Sequence, residues 1–350
     1  MGLRKRSSKK DDTGVVVGLD LDPSHIAAAE VTNNGSIRVS KGAVKTLRPG
    51  ILRDGEIGDA AALTEALREM WAEHGFGQRV RLGLANQRIV VRTLDLPPLE
   101  DEKALAAAVR VEAPDHIPMP MDEAILDFQS LGIVDSPSGP RTRVVVVAVR
   151  REMVDRYTDA VRAAGLKVEG IDLSAFALVR ALARESATGG GILYISVSGL
   201  TNVAVASGGH VLFTRAAAGG LDAMVHTLAD RRSLTLEHAA QWLSHVGMTT
   251  PLDELEGDAE VVAAARAVLD EGVHQLADTV RNSLNFYRMQ EASATVERAV
   301  LAGPGSAIDG FAEALSESLR MPVEAASVVV DGEGDASRLT VAAGLAVESV

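Results

Sequence analysis

The sequence contains many histidines, serines and carboxylates, but few are spaced for a known chemistry. None of the eight histidines pairs with a carboxylate in a zinc-binding pattern, and His238 and His245, two helical turns apart, are too far apart to bind one ion. Neither a Gly-x-Ser-x-Gly nucleophile elbow nor a Gly-Lys-Ser or Gly-Lys-Thr phosphate loop occurs. Cysteine is absent, which excludes a thiol nucleophile, a disulfide scaffold and a cysteine-ligated metal. The sequence therefore predicts no metal site.

Two polar turns are the remaining candidates, because each lies in a strand–turn–strand–turn–strand pattern. Residues 15–39 predict three strands, with Asp20, Asp22 and Ser24 around the first turn and an Asn34-Gly35 hairpin at the second. Residues 191–214 repeat this order, with Ser198-Gly199 at the first turn and Gly208-Gly209 at the second.

This repeat predicts two related halves, with two unrelated β-meanders as the alternative. Aligning the turns places Asp20 opposite Tyr194 and Asp22 opposite Ser196. Helical patterns follow each set of strands, the first beginning after Asp59 and ending at Gly75. Strands mixed with helices indicate an α/β protein, and aromatic residues at only 3% indicate a core of Ala, Val and Leu.

A smaller α/β pattern interrupts the first half and predicts an inserted module over residues 79–168. It contains predicted strands at Val80–Leu84, Ile89–Leu96, Ala124–Leu131 and Arg143–Val149 and a helix at Glu100–Glu112. The expected organisation is a basic arm at 1–13, a first domain at 14–78 and 169–188, the module at 79–168, and a second domain at 189–350. An apolar edge of the module either accepts a peptide as an added strand or forms the module's core; it comprises Leu84, Ile89, Val91 and Leu94.

The charge distribution limits the classes of partner. A formal net charge of -13 argues against nucleic-acid binding, and no apolar run approaches the ~20 residues of a membrane span. The basic run from Arg4 to Lys10 is followed by no apolar stretch, so no secretory signal is predicted. We expect a cytoplasmic protein whose arm is a solvated tail rather than an anchor to anionic lipid.

Several segments, in order along nearly the whole chain, resemble the type IV pilus assembly protein PilM family. In chain order, each numbered by its first residue, the segments are Gly18-Leu-Asp-Leu-Asp, Glu112-Ala-Pro-Asp-His-Ile-Pro-Met-Pro, Gly165-Leu-Lys-Val-Glu-Gly-Ile-Asp-Leu, Phe213-Thr-Arg-Ala-Ala-Ala-Gly-Gly, Thr279-Val-Arg-Asn-Ser-Leu-Asn-Phe-Tyr and Ala342-Ala-Gly-Leu-Ala. The resemblance implies two ribonuclease-H-like domains of the actin-like ATPase superfamily, related to FtsA, around a nucleotide cleft. It also implies a cytoplasmic scaffold, peripheral to the inner membrane, that holds the N-terminal peptide of a PilN-like membrane protein beside the module. The pilus assembly ATPase is a further implied partner.

The resemblance also implies where nucleotide would bind. The implied cleft residues are Asp20, Asp22, Ser24, Ser196, Ser198, Thr201, Gly219, Gly220, Gly303 and Gly305. Where the family has a first turn like Asp-Ile-Gly-Ser-Ser, this chain has Asp22 at the glycine and Pro23 after it, which adds a carboxylate and removes an N–H donor.

The second turn and the nucleoside helix depart from the family as well. The second turn has Tyr194-Ile195-Ser196 in place of Asp-Ile-Gly, and the helix has Ala240 and Leu243 where a Glu and a Lys are expected. We therefore expect no cofactor and a protein that is not an enzyme, with ATP and Mg²⁺ in an active ATPase or small-molecule kinase as the alternative. Asp172 invites a general-base interpretation, but a helix-capping or interdomain role before Ser174 is favoured. FtsA-like filaments are not expected, since no amphipathic anchor precedes Val350.

Overall fold

A computed structural model of the chain describes residues 15–33, 35–99, 101–137, 139–183, 190–290 and 293–348. Strands and helices are mixed along the chain, which confirms the expected α/β class. The basic arm at residues 1–13 and the hairpin residue Asn34 lie outside the described residues.

The first domain is built on a six-stranded sheet. Its strands are β1 (Val17–Leu21), β2 (His25–Asn33), β3 (Ile37–Thr46), β6 (Arg79–Leu84), β10 (Lys167–Leu173) and β16 (Val329–Val330), in the order β10-β6-β1-β2-β3-β16. Strand β2 pairs antiparallel with β1 and β3, whereas β6 pairs parallel with β1 and β10 pairs parallel with β6. A small hairpin, β4 (Leu52–Arg53) and β5 (Glu56–Ile57), lies outside this sheet.

The second domain repeats this arrangement in a five-stranded sheet. Its strands are β11 (Gly191–Val197), β12 (Leu200–Ser207), β13 (His210–Ala218), β14 (Val296–Ala302) and β15 (Val323–Ala325), in the order β13-β12-β11-β14-β15. The first three strands are again antiparallel neighbours, and the last two again add in parallel on the other side of the first strand. The expected duplication is therefore confirmed by the pairing of the strands.

Helices cover both faces of the first sheet. Helices α1 (Ala60–His74) and α3 (Arg151–Ala163) pack on one face, and α9 (Ala336–Ala346) packs on the other. Helix α1 begins where the Asp59 side chain accepts a hydrogen bond from the Ala62 N–H and ends at Gly75, whose φ of 62° is left-handed. Helix α9 lies so close to β1 that a Cβ on Gly18 would be 1.8 Å from the Ala342 carbonyl oxygen.

The second sheet also lies between two helical layers. Helices α5 (Leu221–Arg232), α6 (Leu236–Val246), α7 (Ala259–Arg288) and α8 (Phe311–Leu319) cover one face. Helix α4 (Ser174–Leu182) covers the other face, where Leu178 packs with Tyr194 and Ala204. Because α4 also crosses α9, whose residues pack on the first sheet, this helix pair joins the two domains.

A three-stranded antiparallel sheet forms the inserted module. The strands of the sheet are β7 (Val90–Leu96), β8 (Ala124–Ser136) and β9 (Gly139–Arg150), in the order β7-β9-β8. The module also contains helix α2 (Glu102–His116). Helix α2 packs on one face through Leu105, Val109 and Ala113. On the other face, Val91 and Val145 pack against Leu173 of the first domain.

The predicted domain boundaries require correction at three places. Strand β6 and helix α3 fall inside the predicted module range of 79–168, but both belong to the first domain. In β6, Val80 and Leu82 pair with β1 and are fully buried. In α3, Met153 and Tyr157 pack in the core of the first domain. Strand β10 also begins at Lys167, inside that range. The predicted second domain includes β16 and α9, which return to the first sheet.

Candidate functional site

The two polar turns of the duplicated sheets lie against each other. The first turn is a tight hairpin in which the Asp22 N–H donates to the His25 carbonyl oxygen at 3.0 Å and the His25 N–H donates back at 3.2 Å. The second turn is closed by a 3.1 Å hydrogen bond from the Ser198 N–H to the Leu200 carbonyl oxygen. The candidate site is the cleft between these turns.

The strand register corrects the expected correspondence between the two halves. The last strand pair before the turn joins Leu21 to Ile26 in the first half and Val197 to Thr201 in the second. The residue equivalent to Asp20 is therefore Ser196, not Tyr194. By the same register, Ser198 is the counterpart of Asp22, so both carboxylates of the first turn correspond to serines in the second.

The Asp22 carboxylate is buried between the domains and makes most of the contacts there. Its Oδ1 accepts hydrogen bonds from the Ser24 N–H at 3.0 Å and from the Ser24 hydroxyl at 2.6 Å. The backbone N–H of Gly199, in the second domain, donates to Oδ1 at 3.1 Å and to Oδ2 at 3.2 Å. Asp22 therefore links the first turn to the second.

His25 supports this carboxylate from within the first sheet. The ring is 2% exposed, and its Nδ1 lies 2.9 Å from the Ser24 hydroxyl and 3.5 Å from Asp22 Oδ1. Burial lowers the pKa of His25, although Asp22 acts in the opposite direction. The imidazole is therefore held neutral, as a hydrogen-bond partner rather than as a cation.

Two further carboxyl groups in the cleft have raised pKa values. Burial, followed by the charge of Asp22, raises the pKa of Asp20 to about 7, while a hydrogen bond from Ser174 opposes the shift. Burial and Asp22 likewise raise the pKa of Asp222, on the first turn of α5, to about 6, while a hydrogen bond with Ser24 lowers it. Three carboxyl groups thus share a region of low polarity.

The space between the turns is small. A cavity of about 20 Å³ is lined by five of the implied cleft residues and by side chains from α9; the five are Asp20, Asp22, Ser196, Ser198 and Gly303. This is room for about one water molecule. Ser198 lines the cavity, and its buried hydroxyl has no hydrogen-bond partner among the described residues.

The residues of this cleft do not fit a nucleotide with its metal ion. Pro23 has no N–H, and the N–H of Gly199 is already bound to Asp22. Ser196 stands in the second turn at the position of Asp20 in the first, and the Asp22 carboxylate is a negative charge that would repel a phosphate. We therefore derive no chemical step through ATP or Mg²⁺.

The other implied cleft residues have mainly packing roles or lie elsewhere. Thr201, Gly219 and Gly220 line a separate cavity of about 120 Å³ between α5 and α7. A Cβ on Gly220 would lie 2.3 Å from the Ser198 carbonyl oxygen, and one on Gly303 would lie 2.8 Å from that of Val197. A Cβ on Gly305 would be 2.9 Å from the Val197 side chain. Close packing against Ser198 and Val197 explains Gly220, Gly303 and Gly305 without a ligand, and the positive φ of 82° explains Gly219.

The positions expected to distinguish an enzyme lie away from the cavity. Tyr194 is buried against α4, and Leu243 is fully buried in the core of the second domain. Ala240 is exposed on α6. None of these three residues contributes a polar group to the cleft.

The contacts of Asp172 are structural, since its carboxylate is bound by an arginine and a backbone N–H. It forms an ion pair with Arg180 of α4, and its Oδ1 accepts a 2.7 Å hydrogen bond from the Leu173 N–H. Arg180 also donates at 2.7 Å to the carbonyl oxygen of Gly344 in α9. These contacts tie the helix pair between the domains together.

The described part of the chain offers neither a metal site nor a membrane-spanning helix. Within the described ranges, no group of three or more His, Asp or Glu side chains is arranged to hold a metal ion. The helices in those ranges also lack the combination of length and hydropathy needed to cross a bilayer.

The predicted peptide edge does not form a groove. Leu84, Val91 and Leu94 are 3–5% exposed and pack in three different cores, and Ile89 is half-buried between two of them. The alternative, that these residues form the module's core, holds for Leu94, whereas Leu84 packs in the core of the first domain and Val91 packs against Leu173. Their alternation identified buried strands, but it could not show which sheet each strand joins.

Gly199 and Asp222 are cleft residues that the sequence reasoning missed. The sequence signal for Gly199 is a glycine at the tip of a polar turn. The structure gives the reason for it, because a Cβ there would lie 2.5 Å from Asp22 Oδ1. Asp222 follows Gly219-Gly220 at the start of a predictable helix, where acidic residues are favoured. Their contact with the first turn depends on the packing of the two domains.

The chain is similar to known proteins both in sequence and in structure. A family model for the type IV pilus assembly protein PilM matches residues 18–349. A chain of a solved PilM-PilN type IV pilus biogenesis complex is 27% identical, with a TM-score of 0.77, covering 95% of this chain and 97% of that chain.

Two more distant structures show the fold alone. The ethanolamine utilization protein EutJ from Carboxydothermus hydrogenoformans is 17% identical, with a TM-score of 0.52 and coverage of 95% of this chain and 88% of that chain. MreB5 of Spiroplasma citri bound to ADP is 13% identical, with a TM-score of 0.55 and coverage of 95% of both chains. These likenesses confirm the expected actin-like fold.

Proposed function

Because this chain belongs to the type IV pilus assembly protein PilM family, we propose that it is a scaffold protein of type IV pilus assembly. In this role it binds the cytoplasmic N-terminal peptide of a PilN-like inner-membrane protein and does not hydrolyse ATP. One observation carries the proposal, namely the likeness over nearly the full length of both chains to a chain of a PilM-PilN complex.

The geometry of the cleft supports a role without hydrolysis. Phosphate transfer in this type of fold needs backbone N–H donors and metal-organising carboxylates on both turns. Here Gly199 donates to Asp22, and Ser196 stands at the carboxylate position of the second turn. The cavity between the turns, at about 20 Å³, has room for about one water molecule.

The peptide site is proposed at the surface where the module meets the first domain. The loop between β6 and β7 is tied to the small hairpin there, because the Asn86 side chain donates to the carbonyl oxygens of Asp54 at 3.1 Å and Gly55 at 2.9 Å. Arg88 on this loop is 69% exposed and lies 3.4 Å from Glu56. This junction offers a rigid backbone with charged side chains for a short peptide.

The experiment is a titration of the purified protein with a labelled peptide from the N-terminal cytoplasmic segment of a PilN-like protein of the same organism. Fluorescence anisotropy is expected to give a Kd on the order of micromolar. Arg88→Glu is expected to weaken binding about tenfold. The matched control is Arg231→Glu, which breaks a similarly exposed ion pair with Glu271 in the second domain and is expected to leave the Kd unchanged.

The outcomes separate the parts of the proposal. Absence of saturable binding to the unsubstituted protein would overturn the partner assignment, and equal affinity of Arg88→Glu would overturn the junction as its place. In the same protein, Mg-ATP is expected to leave Tm unchanged; a micromolar Kd for ATP by calorimetry would favour the ATPase alternative. Contact with the pilus assembly ATPase and a position at the inner membrane belong to the same proposal and follow from the family alone.

A further inference from the structure

The contact between Asp22 and Gly199 joins two domains through an anion and a backbone N–H. Asp22 belongs to the turn after β1, whereas Gly199 belongs to the turn after β11, and 177 positions separate them in the chain. Backbone N–H groups at tight turns are recurrent binding sites for anions. In this protein the anion is a side chain of the opposite domain.

We propose that the Asp22 carboxylate is a built-in clamp, which holds the two domains closed by binding the Gly199 N–H as an anionic ligand would. The clamp goes beyond the proposed binding of a peptide, which does not depend on it. Closure of an actin-like cleft would then be a fixed property of this chain rather than a response to a bound nucleotide.

The surroundings of Asp22 prepare the carboxylate for this contact. Ser24 donates to Oδ1 through both its N–H and its hydroxyl, which fixes the direction of the carboxylate. The neutral ring of His25 forms a hydrogen bond with the Ser24 hydroxyl, with 2.9 Å between Nδ1 and Oγ. A charge-assisted hydrogen bond to an oriented carboxylate is stronger than one between neutral groups.

The second turn is shaped to receive the carboxylate. A Cβ on Gly199 would lie 2.5 Å from Asp22 Oδ1, 2.9 Å from Pro23 Cδ and 3.0 Å from Asp222 Oδ2. Only glycine therefore allows the two turns to approach this closely. Pro23 adds rigidity on the first domain's side, because its ring fixes φ.

The test measures the distance between the domains by double electron–electron resonance. Since the chain has no cysteine, spin labels can be attached at Glu65→Cys on α1 and Glu237→Cys on α6 without removing native thiols. The parent protein is expected to give one narrow distance distribution. Asp22→Ala and Gly199→Ala are expected to broaden it and shift it to longer distances.

Asp20→Asn is the matched control. It removes a carboxylate from the same cavity, but Asp20 is hydrogen-bonded to Ser174 rather than to the second domain, so the distribution is expected to stay narrow. Unchanged distributions in both Asp22→Ala and Gly199→Ala would overturn the clamp. An equal broadening in Asp20→Asn would also overturn it, since a general loosening of the cavity would then explain the result.

A second measurement covers the case in which these variants fold poorly. Asp22→Asn keeps the size of the side chain and one acceptor oxygen but removes the charge. The Gly199 amide is expected to exchange its hydrogen about tenfold faster in this variant than in the parent. An unchanged exchange rate would overturn the clamp.

Discussion

The hydroxyl of Ser174 donates a 3.1 Å hydrogen bond to Oδ1 of Asp20, so that the first residue of α4 supports a carboxyl group of β1. The same carboxyl lies beside Asp22, and its pKa is raised to about 7 by burial and by that neighbour. The ionised form of Asp20 is therefore unfavourable in the folded protein.

Asp20→Asn is expected to stabilise the protein increasingly as the pH rises. The pKa of Asp20 is about 7 in the folded protein and ordinarily 3.8, so the unfolded chain releases this proton first as the pH rises. The free energy of unfolding therefore falls between about pH 4 and about pH 7 and stays lower above pH 7. The difference in Tm between variant and parent should be small at about pH 4.5 and reach a few degrees at about pH 8. Thermal unfolding across this range measures it; a difference that does not change with pH contradicts the shift.

Arg180→Ala is expected to lower the free energy of unfolding by about 2–3 kcal/mol. The substitution leaves the Asp172 carboxylate, 15% exposed, without its ion-pair partner and the Gly344 carbonyl oxygen without its donor. The control is Arg38→Ala, whose ion pair with Asp331 is nearly half exposed and should contribute about 1 kcal/mol or less. Urea unfolding of both variants provides the comparison. Equal costs would show that the Arg180 pair is no more than a surface ion pair.

Leu84→Ala is expected to destabilise the protein by about 2–5 kcal/mol without changing the affinity for the partner peptide. Leu84 is 3% exposed in the first core, so the substitution leaves a cavity rather than altering a surface. Ile133→Ala, at a side chain that is 66% exposed, should change stability by no more than about 0.5 kcal/mol. A Leu84→Ala variant of normal stability but weakened peptide binding would restore the edge-groove hypothesis.

Gly344→Ala is expected to lower Tm by several degrees, because a Cβ at this position would lie 1.9 Å from the carbonyl oxygen of Ala177. This is the place where α9 crosses α4. The control is Gly170→Ala, where the nearest atom is 3.5 Å away and φ is not positive, so little change is expected. Differential scanning fluorimetry compares the two variants. Equal Tm values would mean that the crossing can relax at low cost.

The sequence predicted those elements whose signals are local. Asp59 and Gly75 were correctly identified at the two ends of α1, since an N-cap side chain and a left-handed C-terminal residue act within one helical turn. The duplication was also predicted, because the two strand–turn–strand patterns repeat in order. The family resemblance then supplied the actin-like fold.

The sequence predictions were wrong where the pairing of distant strands determines which sheet a segment joins. An apolar alternating strand such as Arg79–Leu84 fits the first sheet or the module equally well by pattern, and only its pairing with β1 assigns it. The second turn is one residue shorter than the first, since Asp20 pairs with Ala27 whereas Ser196 pairs with Asn202. This difference accounts for one of the two residues by which the expected correspondence of the turns was shifted. The contact between Asp22 and Gly199 depends on two domains and had no local signal.

The return of the C-terminal segment to the first sheet affects the order in which the protein can fold during synthesis. Domains commonly fold from the N-terminus as the chain leaves the ribosome. Here the face of β1 that carries Gly18 is covered only when α9, residues Ala336–Ala346, has been made. The first domain must therefore wait, with one face of its sheet uncovered, until the second domain has been translated. A nascent chain in this state exposes an apolar sheet face, which makes it prone to aggregation until α9 packs.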